Sequence, residues 1–322
     1  MRFQVLADKH YHRACIQPAA EELKKRGHSV TFSDRTPLDK NEVDATIIAS
    51  VGYLDRGFEK KLKRPIFFMP HGVAVVKTTL YKELTKADYT LMTGPIWKER
   101  MEYLFPEFKN NIGAGFPKSD ELVNGKNTRD QVIKEFGLDP KEPVVIFAPS
   151  WDDPDAKRKG TIDALSDIER LGLKNLLVCV HEYDKTFKTL AGKHIIKAPN
   201  KNRYLLAADL LIGDISSIMI EFALLNKPMV QIDMFGDRRM YGIWEDPTYH
   251  YGTFQIGEFA APDALDKAVE AALSDPNKYE YLRKYWVWRS FYNIGKASIS
   301  AADSIEKLTA SYSPARRKFF FF

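Results

Sequence analysis

The chain has 322 residues and a formal net charge of +5, with 44% hydrophobic and 28% charged residues. This length is enough for two domains of ordinary size, and the composition is that of a globular protein. The positive excess suits anionic ligands or an anionic membrane surface, but it is too small to indicate nucleic-acid binding.

The first part of the chain alternates predicted strands and helices. The predicted strands are residues 3–7, 28–33, 45–50, 65–69 and 89–93. Pro18 predicts the start of a helix over residues 18–26, and Gly27 is its expected C-cap residue. Such alternation indicates a parallel sheet with crossover helices, so we predict a Rossmann-like domain over residues 1–122. Gly and Pro punctuate residues 112–122, and we expect a linker from there to about residue 140.

The alternation restarts after this linker. The predicted strands are residues 144–148, 176–181, 194–197, 210–213 and 229–233. A helix is expected over residues 202–208, and these elements predict a second Rossmann-like domain over residues 140–284. From Asp263 onward the pattern is almost entirely helical, and we expect residues 285–322 to be C-terminal helices that pack across both domains.

The two ends of the chain and its cysteines bear on localisation. No signal-peptide pattern opens the sequence, and no apolar run reaches membrane-spanning length. Cys15 and Cys179 fit neither a disulfide framework nor a metal cluster, so we expect a cytoplasmic protein. The tail over residues 313–322 joins three cations to four Phe residues. It could seat on the inner face of an anionic plasma membrane, or it could be an added or unstructured end.

A polar turn between two apolar strands is the strongest candidate binding feature. Asp214, Ser216 and Ser217 follow the strand at residues 210–213 and open a predicted helix. Such side chains cap free backbone N–H groups, and a helix start at the carboxyl end of a strand is a common diphosphate site. The alternative interpretation is an ordinary N-cap with an exposed serine.

Two histidines end strands in the two predicted domains. His71 follows the strand at residues 65–69, and His181 ends the strand at residues 176–181. Histidine accepts protons near neutral pH, and reactive groups of α/β domains gather at this edge. A single histidine of this kind is more often structural, but the matched pair predicts one active site with a histidine from each domain.

Further polar residues follow the strand at residues 144–148. Ser150 could contact a phosphate, whereas Asp152, Asp153 and Asp155 are expected to be solvated loop acids, so no metal is required. The sequence contains no P-loop, no Gly-x-Gly-x-x-Gly after the first strand and no Gly-x-Ser-x-Gly elbow. These absences disfavour P-loop enzymes, nicotinamide enzymes and serine hydrolases.

Several short motifs follow one another along the chain. They are residues 70–72 with Lys77, residues 115–122, residues 148–151, His181, residues 214–217, Glu221 with the two residues after it, and Lys227-Pro228. This ordered set resembles the CDP-glycerol glycerophosphotransferase family, which builds teichoic acids and related glycerophosphate polymers. The resemblance runs from about residue 65 to residue 233.

The resemblance implies an α/β GT-B fold, with two Rossmann-like domains and an active-site cleft between them. It implies transfer of glycerol phosphate, or a related polyol phosphate, from a CDP-activated donor to a lipid-linked or polymeric hydroxyl, with release of CMP and no cofactor. By position, His71 looks like the general base and His181 like a phosphate-stabilising histidine. Asp214, Ser216 and Ser217 would hold the diphosphate, and Glu221 would contact the nucleotide sugar.

Arg203, at the start of the helix over residues 202–208, is a further candidate phosphate partner. Two alternatives stay open at this point. One is a glycosyltransferase that uses a nucleotide-sugar donor on the same fold, because fold alone does not decide the reaction. The other is a non-catalytic protein that binds an anionic polymer.

Overall fold

A computed structural model describes seven stretches of the chain. They are residues 1–55, 57–73, 82–150, 164–180, 194–214, 216–233 and 255–313. Within these stretches the residues form two compact units. Of the described residues, the first unit takes in residues 1–55, 57–73, 82–121 and 288–313. The second takes in residues 122–150, 164–180, 194–214, 216–233 and 255–287.

Each unit contains one parallel sheet. The first sheet is built from β1 (Arg2–Leu6), β2 (Ser29–Ser33), β3 (Ala45–Ile48), β4 (Ile66–Phe68), β5 (Tyr89–Met92) and β6 (Asn111–Gly113). Their spatial order is β2-β1-β3-β4-β5-β6, and all neighbours are parallel. β3 and β4 are buried at every position, as expected for parallel strands that are covered on both faces.

The second sheet has the same character. Its strands are β7 (Val145–Ala148), β8 (Leu176–Val178), β9 (Leu210–Gly213), β10 (Met229–Ile232) and β11 (Glu258–Ala260). They lie in the order β11-β10-β9-β7-β8, again with parallel neighbours. The central strands β7, β9 and β10 are buried throughout, which explains their uninterrupted apolar sequence.

Ten α-helices accompany the sheets within the described residues. They are α1 (His10–Lys25), α2 (Pro95–Leu104), α3 (Asp120–Asn124), α4 (Arg129–Phe136), α5 (Leu165–Arg170), α6 (Asn202–Ala207), α7 (Ser217–Ala223), α8 (Leu265–Ser274), α9 (Glu280–Ser290) and α10 (Ala297–Ala310). The helical character predicted after Asp263 is therefore confirmed by the last three helices.

The first helix is longer than its sequence predicts. α1 begins at His10 and continues through Pro18, the predicted first residue of the helix. Proline lacks the N–H that would bond the carbonyl four residues earlier, but the buried face of α1, including Ile16 and Leu23, keeps the helix continuous against the sheet. The predicted end is confirmed, because Gly27 follows the helix with φ of +84°.

One strand prediction is wrong, and the short strands β6 and β11 were not predicted. Residues 194–197 form no strand and make a single bridge, in which Ile195 pairs with Val178. Conversely, β6 lies where the sequence predicted the start of a broken segment, because this three-residue strand is too short to show a period. β6 pairs with β5 and completes the first sheet.

The C-terminal helix α10 packs on the first unit. Ala301, Ala302 and Ile305 are fully buried and belong to the same apolar core as α1 and β1. At the edge of this contact, the Arg26 guanidinium lies 2.6 Å from an Asp303 carboxylate oxygen and 3.1 Å from one of Glu306. The predicted domain limits of 1–122, 140–284 and 285–322 stay a prediction.

Candidate active site

The first unit brings polar residues together at the carboxyl edge of its sheet. Asp8 follows β1, Arg35 follows β2, Ala49 follows β3 and His71 follows β4. Because the four strands are parallel neighbours, their carboxyl ends share one edge, which is where α/β domains place their ligand-binding groups.

The His71 imidazole is exposed and has a defined tautomer. Its Nδ1 lies 3.0 Å from the carbonyl oxygen of Ala49. A carbonyl oxygen only accepts hydrogen bonds, so Nδ1 carries the proton and Nε2 is the basic nitrogen. The His71 backbone is also anchored, because the Cys15 thiol donates to its carbonyl at 3.1 Å. This geometry fits the predicted role of a general base.

A second histidine, His12, packs against His71, and the sequence pattern did not predict this contact. The ring centroids of His12 and His71 are 4.7 Å apart, and Tyr11 contacts both rings at 4.4 and 5.3 Å. We refer to Tyr11, His12 and His71 as the three-ring cluster. Because the predicted helix started at Pro18, His12 was not expected to lie in a helix or near a strand end. The available signal was the spacing of Asp8 and His12 just after a strand, which places them one helical turn apart.

Asp8 joins the three-ring cluster to a cation. His12 Nδ1 donates to Asp8 Oδ1 at 3.1 Å, and the Arg35 guanidinium donates to Asp8 Oδ2 at 3.1 Å. Burial acts to raise the pKa of Asp8, but the hydrogen bonds from Arg35 and His12 outweigh it and lower that pKa. Burial lowers the pKa of His12 despite the opposing effect of Asp8. At neutral pH the pair is therefore a carboxylate and a neutral imidazole.

In the second unit, the predicted polar turn joins two strand ends. β7 and β9 pair with Ala148 opposite Gly213, so the residues that follow them are neighbours. The backbone N–H of Ser150 donates to Asp214 Oδ2 at 3.0 Å, and the Ser150 hydroxyl donates to the same oxygen. Asp214 Oδ1 accepts from the Ser216 N–H at 3.0 Å. Asp214 is thus the buried centre of this turn.

The capping of α7 differs from the expected one. Ser216 occupies the N-cap position, but its side chain makes no capping hydrogen bond to the helix. Asp214 caps the turn at Ser216 instead of the helix itself. Ser216 and Ser217, the first residue of α7, are both half-buried.

The close approach of α7 to the end of β9 favours a glycine at this position. A Cβ on Gly213 would lie 2.8 Å from the Met219 sulfur and 3.0 Å from the Ala148 carbonyl oxygen. Gly213 therefore lets α7 pack directly over the strand ends that carry Ser150 and Asp214.

Three other predicted residues lie in defined surroundings. Glu221 is buried in α7 with 4% of its surface exposed. Arg203 forms an ion pair with Glu135, and its guanidinium lies 5.0 Å from the centre of the Tyr204 ring. Lys227 donates to the carbonyl oxygens of Leu206 and Ala208 at 2.9 and 2.6 Å, and so provides hydrogen-bond partners for carbonyl groups at the C-terminus of α6.

Some of the predicted residues lie outside the described residues. They are Lys77, Trp151, Asp152, Asp153, Asp155, His181 and the tail beyond residue 313. Within the described residues, no three His, Cys, Asp or Glu side chains are grouped closely enough to hold a metal ion. No helix in those same stretches has the length and apolar character needed to cross a membrane.

Comparisons with known proteins identify the family and the fold of this chain. The sequence profile of the CDP-Glycerol:Poly(glycerophosphate) glycerophosphotransferase family matches residues 60–296. A teichoic acid poly(glycerol phosphate) polymerase of Bacillus spizizenii is 25% identical over 238 residues, which cover 67% of this chain and 57% of the relative. A teichoic acid glycerol-phosphate transferase of Staphylococcus aureus is 27% identical over 300 residues, which cover 84% of this chain and 69% of the relative.

The fold is also similar to a solved structure. The wall teichoic acid polymerase TagF superposes with a TM-score of 0.72 at 18% identity, over 96% of this chain and 88% of that chain. Two parallel α/β sheets with C-terminal helices, together with this likeness, confirm a GT-B-like fold. Because the family profile matches well over half of the sequence, this chain belongs to the CDP-glycerol:poly(glycerophosphate) glycerophosphotransferase family.

Proposed function

We propose that this protein transfers glycerol phosphate, or a related polyol phosphate, from a CDP-activated donor to an acceptor hydroxyl and releases CMP. The observation that carries this proposal is the family match, because residues 60–296 include His71, His181 and the turn around Asp214. The names of the two relatives point to the synthesis of teichoic acid or a related polymer.

In the proposed reaction, His71 acts as the general base. The acceptor oxygen forms a bond to the β-phosphorus of the donor while the bond from that phosphorus to the CMP oxygen breaks. His71 Nε2 takes the acceptor proton, and CMP leaves with the electron pair of the broken bond. The hydrogen bond from Nδ1 to Ala49 supports this role because it holds the basic nitrogen on the opposite edge of the ring.

The remaining predicted residues would bind the donor. We propose that Ser150, Ser216 and Ser217, arranged around Asp214, supply hydroxyl and N–H donors to the diphosphate, because phosphoryl transfer depends mainly on positioning and charge stabilisation. His181 would stabilise the transferred phosphate, and Glu221 would contact the nucleotide sugar. Arg203 has weaker support, because its guanidinium is engaged by Glu135. The proposal includes no metal and no cofactor.

The proposed partners are the CDP-polyol donor and a lipid-linked or polymeric hydroxyl acceptor. A cytoplasmic protein that meets a lipid-linked acceptor would work at the inner face of the plasma membrane, and the net charge of +5 and the basic, aromatic tail support this location. Cosedimentation with anionic vesicles measures that association.

The proposal is tested by CMP release from CDP-glycerol, CDP-ribitol and a panel of UDP-sugars, with a lipid-linked acceptor. We expect CMP release from a CDP-polyol, and a loss of about 10²- to 10⁴-fold in the His71→Ala variant, which is the usual contribution of a general base. The matched control is His194→Ala, which removes an exposed histidine of the second unit. Unchanged turnover in His71→Ala would remove the proposed base.

A GT-B glycosyltransferase is the second candidate, since the same fold supports both reactions. Turnover of a UDP-sugar together with failure of every CDP-polyol would favour it. Binding of an anionic polymer without CMP release, unaffected by His71→Ala, would favour a non-catalytic binding protein.

A further inference from the structure

The side chain of His71 needs more than one contact to hold a fixed orientation. It is exposed, and the hydrogen bond through Nδ1 to the Ala49 carbonyl forms only while the ring faces that carbonyl. A catalytic group that is displaced by about 1 Å can lose roughly 100-fold in rate. The residues that pack against the ring therefore affect how well Nε2 is aimed.

His12 supplies such a contact from inside the first unit. Only 5% of its side chain is exposed, and its ring is inclined at 57° to that of His71 with the centroids 4.7 Å apart. Tyr11 contacts both rings, so the three-ring cluster holds one side of the His71 imidazole.

His12 is itself held by a charged pair. Its Nδ1–H donates to the Asp8 carboxylate, whose other oxygen accepts from Arg35. The backbone N–H of Asp8 donates to the Tyr53 hydroxyl at 3.2 Å, and that hydroxyl donates to the Asp34 carbonyl at 2.8 Å. These hydrogen bonds connect His12, at the start of α1, to the segments that follow β1, β2 and β3.

We propose that His12, oriented by Asp8 and Arg35, is a positioning residue that fixes the His71 imidazole in the orientation needed to accept the acceptor proton. The inference rests on the proposed role of His71 as the base. It adds residues that lie before the region matched by the family profile, which begins at residue 60.

The kinetic test uses His12→Phe, which keeps a ring beside His71 but removes the donor to Asp8. We expect kcat to fall about 10- to 100-fold with the KM for CDP-glycerol unchanged, since the binding of the donor does not involve this contact. In a His71→Ala background the same substitution should cause no further loss, because its effect passes through His71. An equal loss in both backgrounds, or no loss in either, would overturn the proposal.

The matched control is His28→Phe. His28 belongs to the same unit, has 11% of its side chain exposed and also contacts an aromatic ring, that of Phe3 at 5.6 Å. It precedes β2 and therefore lies at the amino edge of the sheet, away from His71. This variant should match His12→Phe in any loss of thermal stability and keep the wild-type kcat.

A spectroscopic measurement separates this inference from the proposed function. In the wild-type protein, the imidazole nitrogen resonances of His71, assigned with His71→Ala, should show one tautomer with the proton on Nδ1. In His12→Phe or in His12→Asn, which keeps a donor near Asp8, they should show mixed tautomers. Averaged tautomers in the wild type, or a single one in the variants, would overturn the positioning role whether or not CDP-glycerol is turned over.

Discussion

At the scale of single residues, buried hydrogen bonds to one carboxylate organise the proposed donor-binding turn. Asp214 is 6% exposed, and it accepts two bonds from Ser150 and one from the Ser216 N–H. These bonds connect the segment after β7 to the segment after β9. The same side chain therefore stabilises the local fold and fixes the position of the Ser150 hydroxyl.

This arrangement predicts a graded effect on stability. Asp214→Ala leaves buried donors without an acceptor and should lower the free energy of unfolding of the second unit by about 2–4 kcal/mol. Ser150→Ala removes only the hydroxyl and should cost about 1 kcal/mol. Hydrogen exchange of the amides of β7 and β9 in increasing urea measures both values. Equal costs would mean that the serine hydroxyl bond alone stabilises the turn.

At the scale of secondary-structure elements, α10 and the segment before it are fitted closely to the ends of the first sheet. Gly115, which opens one of the family motifs, has φ of +93°. A Cβ at this position would lie 2.4 Å from the Tyr292 carbonyl oxygen and 2.7 Å from the Ala297 Cβ. This motif glycine is therefore explained by packing against the start of α10, without any contact to a substrate.

Two glycines of the first unit allow this explanation to be tested. Gly27 also has a positive φ, of +84°, but a Cβ there would meet no atom within 4 Å. Gly27→Ala should cost about 1–2 kcal/mol for the left-handed backbone alone. Gly115→Ala should cost about 1–3 kcal/mol more because it adds a clash. Urea unfolding followed by exchange of the β5 and β6 amides compares them, and equal losses would contradict the packing argument.

At the scale of the whole molecule, the net positive charge and the sequence of the C-terminal tail predict association with an anionic membrane surface. Arg316, Arg317 and Lys318 precede four consecutive Phe residues. Each cation near an anionic bilayer contributes about 1 kcal/mol of attraction, and the phenyl groups add apolar contact with the interface.

We therefore expect the full chain to cosediment with vesicles that contain anionic lipid and to bind neutral vesicles much more weakly. Replacement of the three tail cations by Gln should weaken anionic binding by roughly 100-fold, from about 3 kcal/mol, and added salt should have a similar effect. A variant with the four Phe residues replaced by Ser separates the apolar contribution. Unchanged binding in both variants would exclude the tail as the membrane contact.

Local signals in the sequence determined much of the fold and part of the candidate site. Apolar runs located most of the strands, and Gly27 located the end of α1, because these signals act between near neighbours in the chain. The same signals placed His71 at a strand end and Asp214 in a turn after β9. The alternation of predicted strands and helices was enough to predict two parallel sheets with crossover helices.

Only the tertiary structure decided which of these residues meet. α1 continues through Pro18 because its buried face packs against the sheet, and His12 reaches His71 because β1 and β4 end at the same edge. Arg26 pairs with Asp303, 277 residues away, and Asp214 meets Ser150 because β7 and β9 are paired in register. Contacts of this kind depend on strand order and on packing between distant segments, which the periodicity of a single sequence does not contain.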